Sequence, residues 1–183
     1  MKRFIALFLS VLVVLSFASC SADKPKLSAA EISAAEGKLD GVKYPLGTNP
    51  DTIIEYYEDY IEQNGEESNY LFVDEGTETT SIMTLSDLYY YENDKMDSGV
   101  AVAVSFANVF GYEVGITLME DIKADLGGEF TTFTATEEQM YFFPSYEENC
   151  EVLSVMCGDF KLEFFFINGF LSVTSLTNTT LWG

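Results

Sequence analysis

Hydrophobic positions recur with three different spacings along this 183-residue chain. From Phe4 to Ala18 they run almost without interruption, behind Lys2 and Arg3 and ahead of Ser19-Cys20. From Asn49 they follow a helical period. Ile53, Ile54, Tyr57, Tyr60 and Ile61 fall in one arc with Tyr56 at its edge, opposite Asp51, Glu55, Glu58, Asp59 and Glu62. Asn49 caps that helix, Pro50 suits its first turn, and Asn64-Gly65 ends it. A second helix is predicted from Thr117. Glu120 completes a capping box, Leu118, Met119, Ile122 and Leu126 share a face, and Gly127-Gly128 stops it.

After each helix the period shortens to two or gives way to solid apolar runs, which predicts strands. Leu88–Tyr91 and Val100–Phe106 flank the polar loop Glu92–Gly99, and Met140–Phe143 precedes Val152–Met156. Gly158-Asp159 and Asn168-Gly169 have hairpin-turn chemistry, the second of the type I′ kind. They bracket Lys161–Ile167 and lead into Phe170–Leu176. The two halves also align: Val104–Phe110 matches Phe164–Phe170 without gaps, keeping Phe, Asn and Phe in register. The expected fold class is therefore α+β, as two tandem units of a short helix plus antiparallel strands. A single domain over 44–183 would hold repeats at about 44–112 and 113–178, with the helices packed on one face of the sheet.

Before that domain stands an address. A basic start, a short greasy core and small residues at the end have the anatomy of a secretory signal peptide, and the run is too short for a comfortable membrane span. Phe17-Ala18-Ser19-Cys20 resembles the lipobox of bacterial lipoproteins. The resemblance implies a signal over 1–19, acylation of Cys20 and a lipid anchor on the extracytoplasmic side of the envelope. Ordinary cleavage after Ala18, Ser19 or Cys20, or an uncut anchor, are the other outcomes. Residues 20–43 read as a flexible tether, since Ser28-Ala29-Ala30-Glu31 has capping-box spacing but so short a helix is marginal without packing.

Charge narrows the partners. Removal of Lys2 and Arg3 with the signal leaves seven basic residues against thirty acidic ones, a formal charge of −23, and no arginine at all. Nucleic acid and phosphate recognition depend on basic patches and Arg forks, so both are excluded. Histidine is absent, which removes Ser-His-Asp and Cys-His machinery and ordinary zinc sites. Seven extended steps hold Cys150 and Cys157 roughly 23 Å apart, too far for a disulfide. The loops Asp74–Glu78 and Glu92–Gly99 are oxygen-rich, but Lys95 and Met96 break the spacing of a calcium loop. Solvated loops are the expectation there, with weak calcium binding the alternative. No cofactor, metal or catalytic residue is expected.

Gly115-Ile116-Thr117-Leu118, Leu126-Gly127 and the phenylalanine-rich hairpin Phe164–Leu176 together resemble the repeat of β-lactamase-inhibitor-protein-like domains. The small lipoprotein of the outer-membrane barrel-assembly machinery has a similar unit. The resemblance implies helices on one face of an antiparallel sheet and the other face free for partners; it carries over no binding residue. Consecutive aromatics must point to both faces of a strand, so Tyr89, Tyr91, Phe164, Phe165, Phe166 and Phe170 are the candidate partner-binding residues, against covered strands as the alternative. The functional expectation is a non-catalytic protein-binding or assembly module of the cell envelope. Its rivals are a secreted hydrolase using two carboxylates and an inhibitor of β-lactamases or proteases.

Overall fold

The computed structural model describes residues 26–65, 70–140, 142–143 and 149–182. Cys20 and the signal segment lie outside the described residues. Among the described residues three α-helices, α1 (Ala29–Ala35), α2 (Pro50–Asn64) and α3 (Met119–Asp125), accompany eight strands. These are β1 (Leu71–Glu75), β2 (Thr79–Thr84), β3 (Asp87–Glu92), β4 (Val102–Ser105), β5 (Phe130–Thr134), β6 (Glu151–Cys157), β7 (Phe160–Ile167) and β8 (Phe170–Asn178). All eight form one antiparallel sheet in the order β1-β2-β3-β4-β8-β7-β6-β5. Two meanders are thus fused where Val102, Ala103, Val104 and Ser105 pair with Thr177, Leu176, Ser175 and Thr174.

Local chemistry explains the elements. The Asn49 side chain accepts from the Asp51 amide at 2.8 Å, and Gly65 takes a φ of 83° where α2 ends. Asn168 and Gly169 both sit at positive φ between β7 and β8, as a type I′ turn requires. Thr117 does not cap α3; its hydroxyl accepts from the Glu113 amide instead, and Asp121 closes the first turn on the Leu118 amide.

The expected pair of tandem helix-and-sheet units is overturned by this topology. One continuous sheet replaces two, the helices are few and short, and they do not repeat as equivalent units packed on a face. The physical cause is twofold. The β4 and β8 strands are uncharged and rich in β-branched residues, so each satisfies the other's free edge. Moreover, the helix packed most extensively on β6 and β7 is α1, drawn from the N-terminal stretch rather than from the second half of the chain. That stretch is not a tether throughout 20–43: Ala30, Ala34 and Leu39 are buried in the core.

Both faces of the sheet are apolar enough to need cover. On one side Ala30, Ala34 and Ile122 enclose Leu153, Leu162, Phe164, Phe166 and Leu176, while Ile53 and Tyr57 enclose Ile82, Tyr89 and Tyr91. On the other, the segment around a 3₁₀ turn at Glu137–Met140 brings Met140 and Phe142 onto Val152, Phe165 and Val173. Cys150 and Cys157 are buried in the cores of opposite faces and form no disulfide.

Candidate functional site

The second cover stops short. Beyond it the non-helical face carries a polar row in mid-sheet, Lys161, Glu163, Ser175 and Thr177, with Lys161 paired to Glu163 at 3.1 Å. A cavity of about 150 Å³ lies above this row, bounded by Phe133, Phe142, Phe165 and Trp182. On the far side of Trp182 a larger open groove of about 820 Å³ is lined by Thr77, Glu78, Thr79, Glu92, Asn93, Asp94 and Trp182. The sole tryptophan of the chain therefore stands between a small polar recess and a broad acidic groove.

Each wall of the groove is fixed by short bonds. Asn93 follows β3 and ties down the β1–β2 turn: its amide nitrogen donates to the Gly76 carbonyl at 2.9 Å, and its carbonyl accepts from the Thr80 hydroxyl at 2.7 Å. Its backbone N–H donates to Glu78 at 2.8 Å. This brings Glu78 alongside Glu92 and Asp94, so the two oxygen-rich loops of the sequence form one surface. The opposite wall is the C-terminal turn, where Asn178 accepts from the amide and hydroxyl of Thr180 and its carbonyl accepts from the Trp182 amide. Lys95 joins the walls, donating to the Leu181 carbonyl at 2.9 Å and pairing with Glu92 at 2.7 Å. Trp182 rests on Tyr90 with ring centroids 5.9 Å apart. Burial, with the charge of Asp74 adding, pushes the Tyr90 phenol up to about 12, so the ring stays neutral.

The chemistry of such a groove is selective. Lys95 offsets Glu92, while Glu78 and Asp94 project into solvent at the lip. An indole flanked by carboxylates favours a cation on an apolar stem, through its ring quadrupole and through charge together. A lysine or arginine side chain of another protein has that shape. Among the described residues no three Asp, Glu or Cys side chains converge as a metal cluster.

The aromatic residues singled out in the sequence lie elsewhere. Tyr89, Phe164 and Phe166 have no exposed surface, and Phe165 and Tyr91 are buried, so these five are core rather than a partner face. The reason is that both faces of their strands are covered. Phe170, 43% exposed at the β7–β8 turn, is the one that reaches solvent. Trp182 carried no periodic signal; its being the only indole, close behind the last strand, was the available hint. No family model, curated protein or solved structure matches this chain.

Proposed function

We propose that this is an exported, Cys20-acylated envelope lipoprotein whose domain is a non-catalytic module for binding a basic protein. The observation that carries the reading is the Trp182 groove, lined by an indole together with Glu78, Glu92 and Asp94 on a strongly anionic body. Lysine and arginine side chains of a partner fill it, the ring contacting their stems and the carboxylates their tips. Acyl tethering keeps the module at the membrane surface, while its charge opposes contact of the domain itself with anionic lipid.

Two measurements test this. Labelling with a fatty-acid analogue should modify the wild type and spare Cys20→Ala; label retained in that variant removes the anchor. A photo-crosslinker at Thr79 in the full lipoprotein, in its own envelope, should trap a basic protein. Trp182→Ala and the pair Glu78→Gln and Asp94→Asn should each weaken that adduct severalfold. Equal trapping from a crosslinker at Asp40, or insensitivity to all three substitutions, counts against the groove.

A further inference from the structure

Among the described residues the sheet has two free edges, roughly 34 Å apart across seven strand spacings, and they are guarded differently. Edge strand β1 carries Asp74 and Glu75, the kind of charge that deters strand addition. Edge strand β5 reads Phe-Thr-Thr-Phe-Thr, without charge, proline or glycine, and every residue but Phe133 is exposed. The Ala135 amide donates to the Cys150 carbonyl at 2.8 Å. Antiparallel pairing alternates from there, so Thr131 and Phe133 aim their backbone groups at β6 while Phe130, Thr132 and Thr134 aim theirs outward. Among the described residues nothing hydrogen-bonds to that outer side. Beside it Phe130 and Leu27 leave 40% and 47% of their surface exposed, with Leu27 against Gly128.

Charge selects the occupant. Residues 124–160, which contain β5, include eight acidic side chains and no lysine or arginine. Glu129 and Glu137 flank the strand, and Glu151 stands opposite Thr134. A second copy would bring two such stretches together and repel.

We propose that β5 is a strand-addition site for an extended segment of a partner protein that alternates apolar with basic residues. The apolar side chains cover Phe130 and Leu27, the basic ones meet the surrounding carboxylates, and the partner backbone takes up the amides of Phe130, Thr132 and Thr134. No residue of this site lines the Trp182 groove.

The probe is a short synthetic peptide alternating valine and lysine, added to the full chain in detergent micelles. Amide exchange at Phe130, Thr132 and Thr134 should slow roughly 100-fold, and Thr132→Pro, which removes an outward N–H and no bond to β6, should weaken binding at least about tenfold. Methylating the peptide nitrogens along one edge should abolish binding, a control that holds even if the proline variant misfolds. Unchanged exchange, equal binding of a valine–glutamate peptide, or loss of binding in Trp182→Ala overturns the proposal. So does a peptide-free dimer that Thr132→Pro dissolves, which gives the edge to a second copy.

Discussion

Glu31 and Asp87 are both buried carboxylates on the helix side of one sheet, yet the protein treats them in opposite ways. Burial alone raises the pKa of each, because the charged form loses water. At Glu31 the backbone N–H groups of Gly127, Ser28 and Gly128, at 2.8, 2.7 and 2.7 Å, outweigh burial and hold the carboxyl below its ordinary range. At Asp87 burial wins over hydroxyl donors, the Ser105 hydroxyl at 2.9 Å among them, and the carboxyl sits above its ordinary range. Donor supply decides the sign. Glu31 is a clasp that ties α1 to the loop between α3 and β5. Asp87 is a charge tolerated at the β2–β3 turn, where its backbone exchanges hydrogen bonds with the Thr84 hydroxyl.

The strongest way to break this contrast is Glu31→Ala. It strands two glycine amides and frees the N-terminal helix, at an expected cost of about 3 kcal/mol in urea unfolding. Glu31→Gln, which keeps one acceptor, should cost about half of that. The clasp also has a pH signature. Its folded-state value is depressed, so its contribution is complete above the ordinary carboxylate range and is lost as pH falls through the folded value. Melting temperature against pH should therefore show a shallower acid limb in Glu31→Gln; an unchanged limb would refute the clasp.

Asp87 should respond with the opposite sign. Its raised value means the folded state holds a proton more tightly than the unfolded chain. Stability therefore rises as pH falls through the raised value and levels off below the ordinary range. Asp87→Asn, which still accepts from Ser105, should gain up to about 1 kcal/mol at neutral pH and lose that rise. Destabilisation at neutral pH would show that the charge is needed where it is.

What could be read in the sequence follows from how far apart the cooperating residues are. The α2 helix and the turns at Gly158-Asp159 and Asn168-Gly169 rest on neighbours in the chain, and their signals are local. The pairing of Val102 with Thr177 joins residues more than 70 positions apart, and no spacing rule encodes it. The same limit misjudged the aromatics. Whether Phe165 meets water depends on Phe142, 4.9 Å from it and supplied by a segment with no periodic pattern. Ser28-Ala29-Ala30-Glu31 was legible as a capping box, and both of its bonds form. Its second role was hidden, because the Gly127 and Gly128 amides that complete it lie almost a hundred residues away. Trp182 was silent for a similar reason: its neighbours Glu78 and Asp94 come from two separate loops.

The smallest effect sharpens the contrast at the groove, where one charge is paired at the surface rather than inside. Lys95 is 37% exposed, so its pair with Glu92 is worth little to the fold, and Lys95→Met should cost less than about 0.5 kcal/mol. Its local effect should be larger than its stability effect. Without the bond from Lys95 to the Leu181 carbonyl, the C-terminal turn loses one of its ties and Trp182 gains freedom to swing from Tyr90. Since the chain has a single tryptophan, its fluorescence reports this position alone. Acrylamide should quench it more efficiently in Lys95→Met than in the wild type, with the unfolding midpoint nearly unchanged. Identical quenching would mean that Asn178 and Tyr90 alone fix the indole, and that Lys95 serves only to offset Glu92.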